Sequence, residues 1–267
     1  MHGRVLIIAG SDSGGGAGIQ ADIKTVSMLD AYAATAITAL TAQNTQGVFG
    51  VLPIPPDFIR RQIEVVLDDI GADAIKTGML HDAAVIETVA AVLRERAAEV
   101  PLVVDPVMVA KGGARLIDPE AIEGLKRLLI ARADIITPNL PEAEILSSRT
   151  IGSVPDMRAA GEALLALGCR GVLVKGGHLS GEIVSDVFVT AEGTRVWDSP
   201  RLASRHTHGT GCSLASAIAA GLAQGLNVGD AIDRARAYVR RAIATAPGLG
   251  RGHGPLDHAH PLRPSSA

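Results

Sequence analysis

The chain has 267 residues, 47% of them apolar and 20% charged, with a formal net charge of −3. That suffices for a packed α/β domain, while the near-neutral charge and the scarcity of aromatics (one Trp, two Tyr, three Phe) exclude the basic, ring-studded surface that nucleic-acid binding needs. Two cysteines, Cys169 and Cys212, are too few for a disulfide scaffold and fit a reducing cytoplasm, and no apolar run is long enough for a leader or a membrane span.

Short β-branched runs alternate with amphipathic segments. Residues 5–9, 34–41, 74–77, 102–104, 135–137 and 171–175 read as strands, and their continuous apolar character predicts a mostly parallel sheet covered by helices on both faces. Pro55-Pro56-Asp57 opens a helix whose apolar stripe (Phe58, Ile59, Ile63, Val66, Leu67) closes near Gly71. Asp118-Pro119-Glu120 opens another, with Asp118 as cap. Past Gly176-Gly177 the period changes, and 183–189 with 194–197 predict an antiparallel edge hairpin. Helices follow over 210–223 and 228–246. One domain is expected over 1–263, with 264–267 a mobile tail. The histidines His253, His258 and His260 belong, on this reading, to a solvated tail rather than a metal site, since no zinc spacing with cysteine accompanies them.

The turns carry the chemistry. In His208-Gly209-Thr210-Gly211-Cys212, two glycines allow a tight turn whose following helix points its free amides back at it, an anion cradle. Cys212 stands in the first helical turn, where the helix field favours a thiolate. The chain therefore reads as a phosphate-handling enzyme. Gly14–Gly18 invites a dinucleotide reading but lacks G-x-G-x-x-G, and no lysine follows a glycine as a Walker A loop requires. The glycine loop either contacts substrate or only lets strand and helix pack closely. Asn139 and Glu142 form either a plain capping box or, through water, a Mg²⁺ site. Asp105 leaves its strand at the ligand edge, where an Asp-Pro turn is the plain alternative. Lys175 at the end of a buried strand calls for an anion. Lys111-Gly112-Gly113 is a candidate lid.

Seven segments in order, namely 9–22, 38–45, 76–80, 105–108, 137–142, 174–178 and 208–212, closely resemble the hydroxymethylpyrimidine/phosphomethylpyrimidine kinases of thiamine biosynthesis. The resemblance implies a ribokinase-like α/β fold and two ATP-dependent phosphorylations of 4-amino-5-hydroxymethyl-2-methylpyrimidine. It further implies Gln43, Met79, Val107 and Gly10 at the ring, Gly209, Thr210 and Gly211 as anion hole, and Asp22, Lys175 and Cys212 in catalysis. Mg²⁺ falls to Glu142, Asn139 and Asp105 through water, and a homodimer stays open. A pyridoxal kinase of the same fold is the nearest alternative; an NAD-dependent oxidoreductase or a silent ligand sensor fits the residues less well. Aspartate stands in related sugar and vitamin kinases where this chain has Cys212. A neutral thiol would not repel a monophosphate nucleophile as that acid would, so Cys212 is expected to serve the alcohol step and tolerate the phosphate step.

Overall fold

Along β1 (Arg4–Asp12) side chains alternate between two separate cores. Leu6 and Ile8 enter one with Ile59, Ile63, Val85, Ile86 and Val89. Val5, Ile7 and Ala9 enter the other with Ile19, Val26, Leu214, Ile218 and Ile232. The structure, a computed structural model, describes residues 1–108 and 117–263. β1 pairs in parallel with β2 (Tyr32–Asn44) and β4 (Ala74–Thr77), and β5 (Leu102–Val104), β6 (Ile135–Ile136) and β7 (Gly171–Val174) continue the parallel series. β3 (Gly47–Pro53) closes one edge antiparallel to β2, and the hairpin β8 (Ile183–Thr190) and β9 (Gly193–Pro200) closes the other. The order is β3-β2-β1-β4-β5-β6-β7-β8-β9 in one nine-stranded sheet.

The first core is covered by α2 (Pro56–Asp69), α3 (Ala83–Arg96), α4 (Ala121–Leu128), α5 (Leu140–Ser147) and α6 (Val154–Leu165), the second by α1 (Gly18–Met28), α7 (Thr210–Ala223) and α8 (Val228–Ala244). The doubly covered parallel sheet and its edge hairpin match the expectation from the sequence. β3 was not anticipated. Its GVFGVLP carries two glycines and a proline, and every residue is exposed or half-exposed, so no burial imposes a period on it. β6 is shorter than expected, and α4 begins at Ala121 with Glu120 rather than Asp118 at its cap; Asp118 instead closes a backbone turn through its carbonyl to Ala121 N. Residues 252–258 are no solvated tail. Leu256, Asp257 and His258 are buried, His253 N donates to Thr45 O at 2.9 Å, and His208 N donates to Gly254 O at 3.1 Å. The candidate lid at 111–113 and the tail 264–267 lie outside the described residues.

Candidate active site

Strands of a parallel sheet release their chains at one edge, where loops from neighbouring strands converge. Here β1 delivers Gly10 and Asp12, β4 is followed by Met79, β5 by Asp105, β6 by Asn139 and β7 by Lys175. These residues and the start of α7 line one cavity of about 760 Å³.

One end is an apolar slot. Ala39, Met79 and Val107 form a small cluster separate from the two main cores. Thr38 Oγ1 donates to Met79 O at 2.6 Å and pins that loop to β2. A Cβ at Gly10 would lie 3.3 Å from Met79 Sδ, so glycine there keeps the slot open. Gln43, at the end of β2, brings the slot its amide. The geometry thus gathers Gly10, Gln43, Met79 and Val107 into one place.

The other end is the turn 209–211. Gly209 adopts φ +81° as the N-cap of α7, and a Cβ there would sit 1.8 Å from Gly16 O. The glycine loop after β1 packs directly against this turn, so the close-packing role of that loop is real. Asp12 organises it: its carboxylate accepts from Gly14 N (2.8 Å), Gly16 N (3.1 Å) and Ala17 N (2.8 Å), and His208 Nε2 lies 2.8 Å away. Burial pushes the Asp12 carboxyl up, but His208 and the Gly14 and Ala17 amides outweigh it and hold it below its ordinary value. Gly211 leaves room for Lys175, whose Nζ is 3.1 Å from where a Cβ would stand.

Lys175 has an internal partner. Its Nζ donates to Asp105 Oδ1 at 3.0 Å, and Thr137 Oγ1 donates to the same oxygen at 3.1 Å. Burial alone would lower Lys175, but Asp105 and Glu142 hold it above its ordinary value, so it stays charged. Asn139 and Glu142 form the capping box in full: Asn139 Oδ1 accepts from Glu142 N at 3.0 Å and Glu142 Oε2 accepts from Asn139 N at 2.8 Å. Burial, with Asp105 adding to it, pushes the Glu142 carboxyl up to about 7 against the opposing pull of Lys175.

One expectation is corrected, the Cys212 thiolate, and Asp22 lies away from the cavity wall. Asp22 has no exposed surface and is absent from the cavity wall; it accepts from Lys76 Nζ at 2.8 Å and from Ser216 Oγ at 2.7 Å. Any influence it has passes through Lys76, which does reach the cavity floor. The thiolate expected at Cys212 is not favoured: burial pushes the thiol up to about 12, with Lys76 opposing and the Asp22 and Asp105 carboxylates adding to the rise. The local helix field does not overcome that. Lys76, His208 and Asp12 were missed as site residues. For Lys76 the signal was present, a lysine between Ile75 and Thr77 in a buried strand, the same reasoning that singled out Lys175.

An anion cradle beside the part-buried Lys175, in one cavity with an apolar slot at the carboxyl edge of this sheet, fits a ribokinase-like small-molecule kinase. The phosphomethylpyrimidine kinase family model matches residues 12–257. The chain is 51% identical over 257 residues to the thiamine biosynthesis bifunctional protein ThiED of Geobacter sulfurreducens, covering 96% of this chain and 52% of that one. It is 46% identical to the hydroxymethylpyrimidine/phosphomethylpyrimidine kinase of Bacillus subtilis, covering 96% and 94%. Among solved structures, the ADP complex of Bacillus subtilis pyridoxal kinase superposes with a TM-score of 0.90 at 39% identity, covering 97% and 98%. The chain belongs to the phosphomethylpyrimidine kinase family. It spans about half of the bifunctional relative and nearly all of the single-function one.

Proposed function

We propose that this chain is an ATP-dependent kinase that phosphorylates 4-amino-5-hydroxymethyl-2-methylpyrimidine to its monophosphate and then to its diphosphate in thiamine biosynthesis. The observation that carries this is the placement of Gln43 and the Ala39–Met79–Val107 slot in the same cavity as the 209–211 turn and Lys175. An aminopyrimidine edge offers adjacent donor and acceptor groups, and a glutamine amide offers their complement. Apolar Met79 and Val107 suit a flat methylated ring.

In the first transfer the alcohol oxygen bonds to the γ-phosphorus of ATP as the bond to the β-phosphate bridge breaks and ADP leaves, and the hydroxyl proton passes to an oxygen of the transferred phosphoryl group and from there to water. In the second, a monophosphate oxygen does the same. Positioning and charge neutralisation supply most of the rate, a role that falls to Lys175 and the 209–211 amides. The Cys212 thiol, neutral near pH 7, presents no charge to either nucleophile and offers a hydrogen-bond partner to the alcohol.

No group of three His, Cys, Asp or Glu side chains among the described residues is poised to hold an ion. Mg²⁺ needs only one or two carboxylates beside waters and phosphates, and Asp105 and Glu142, which share Lys175 as neighbour, meet that need. A carboxyl desolvated as far as Glu142 is one that a cation re-ionises. Bound there, the ion would neutralise phosphate charge. Asn139 would orient Glu142 through the capping box.

The protein is expected to work in the cytoplasm as one domain. Among the described residues, no helix is long and apolar enough to cross a membrane. A homodimer is supported by the edge ribbon β2–β3, where Leu40 and its cross-strand partner Leu52 are exposed on one face and Phe49 and Val51 are also exposed; sedimentation of the wild type against Leu52→Lys checks it. Purified protein with ATP, Mg²⁺ and the pyrimidine, its products resolved by mass, tests the function. The monophosphate should appear first and the diphosphate after it. Pyridoxal, the substrate of the structurally similar relative, has one hydroxymethyl arm to phosphorylate; turnover of pyridoxal alone would replace this reading with that one.

A further inference from the structure

Gln43 stands between two groups whose protons are already committed. The Thr41 hydroxyl has one proton, and its oxygen lies 2.8 Å from Ser11 O and 3.2 Å from Gln43 Oε1. The shorter contact takes the proton, because Ser11 O can only accept. On the other side, His208 Nε2 lies 2.8 Å from Asp12 Oδ2 and 3.1 Å from Gln43 Nε2. A ring nitrogen carries either a proton or a lone pair, and the ionised Asp12, which already takes three backbone amides, requires the proton.

Both neighbours therefore ask the same thing of the glutamine. Thr41 Oγ1 has lone pairs left to accept with, and His208 has an N–H to share. The amide that satisfies both turns its oxygen toward His208 and its NH₂ toward Thr41. The reverse orientation sets an N–H against an N–H on one side and leaves two acceptors facing each other on the other, in a half-buried site where unpaired polar groups are costly.

We propose that His208, locked as the Nε2–H tautomer by Asp12, together with Thr41 fixes the polarity of the Gln43 amide and thereby selects an amino-substituted ring over its oxo counterpart. The oxygen near His208 then receives the exocyclic amino group, and the second N–H of the amide, near Thr41, donates to the adjacent ring nitrogen. A 4-oxo ring presents an acceptor where the amino donor was and an N–H where the lone pair was, so it meets mismatches at both positions. His208 and Thr41 are thus positioning residues that act through Gln43. The inference rests on the proposed reading of the slot as a pyrimidine site.

Kinetics with a matched pair of substrates provide the test: the 4-amino-5-hydroxymethyl-2-methylpyrimidine and its 4-oxo analogue, each with the wild type, His208→Leu and Thr41→Val. Wild type should prefer the amino ring, and each substitution should lower the amino-over-oxo ratio of kcat/KM by roughly tenfold, about the worth of one hydrogen bond to a correctly held partner. Most of the change should fall in KM. A purely structural role would depress both substrates together and leave the ratio where it was. Thr41→Val preserves shape, so it keeps the test decisive if His208→Leu folds poorly. An unchanged ratio in a folded Thr41→Val protein overturns the inference, as does a wild type that turns over both rings equally. A wild type that phosphorylates neither ring overturns the functional reading itself.

Discussion

Lys76 Nζ lies 2.8 Å from Asp22 Oδ2, and neither side chain has any exposed surface. The Asp22 and Asp105 carboxylates hold the lysine above its ordinary value although burial opposes it, so the ammonium is present at every physiological pH. Removing one member of such a pair strands a charge in the core, a loss of about 3–5 kcal/mol, whereas replacing both with apolar groups of similar volume costs much less. Asp22→Ala should therefore lower the urea midpoint steeply, and Asp22→Leu combined with Lys76→Met should recover most of the loss. Equal destabilisation by the single and double variants would contradict this account.

Glu142 sets stability against activity. Its carboxyl is raised from 4.5 to about 7, so the folded protein holds a proton that the unfolded chain has released. The resulting stabilisation is present below pH 4.5 and is lost as pH rises through 7. Glu142→Gln should melt above wild type at pH 8, by about 1–2 kcal/mol, and the gap should close toward pH 5. The same variant should lose the rise in Tm that Mg²⁺ and ATP give the wild type.

At Cys212, a thiol raised to about 12 should react with iodoacetamide at pH 8 far more slowly than a free thiol. Cys212→Ala should slow the alcohol step about tenfold, the worth of the one hydrogen bond it removes, and the phosphate step less. Rates of the two transfers, measured separately by single turnover, decide it; equal losses would reject the division of labour.

His258 opposes Glu142 in the same pH window. It is buried, its Nε2 lies 2.8 Å from Ser213 Oγ, and its value falls from 6.5 to about 4, through burial first and the nearby Lys24 second. The neutral ring is favoured in the fold, so its stabilisation is complete above pH 6.5 and is lost as pH falls toward 4. The Tm difference between wild type and His258→Gln should shrink on going from pH 7.5 to pH 5, by on the order of 2–3 kcal/mol at most. A constant difference would show that the histidine titrates alike in the folded and unfolded states.

Strands such as β1, β5 and β7 were legible because both their faces are buried and they read as near-continuous apolar runs, as in Val5-Leu6-Ile7-Ile8. β3 was not, since an exposed edge places no demand on periodicity. In the site, Gly209–Gly211 stood out as a tight turn opening a helix, whereas Gln43 came only from the family resemblance. The Asp12–His208–Gln43 relay did not, because 31 residues separate Asp12 from Gln43 in the chain while His208 is 196 from Asp12, and only the folded sheet edge brings them together. The neutral Cys212 thiol and the seclusion of Asp22 escape a reading of the sequence for one reason. A motif names the residue but not its depth, and depth decides whether a thiol ionises or a carboxylate meets solvent.

Residues 252–258 join two ends of the site: Thr45, just past Gln43, through His253, and His208, just before the phosphate turn, through Gly254. A ribosome makes the chain from its N-terminus, so this strap is among the last described pieces to emerge. The whole nine-stranded sheet can assemble on a nascent chain that still lacks it. Such a chain would have its scaffold while the ring reader and the phosphate turn remain untied, and competence to turn over substrate would arrive as a late, separate event of biogenesis.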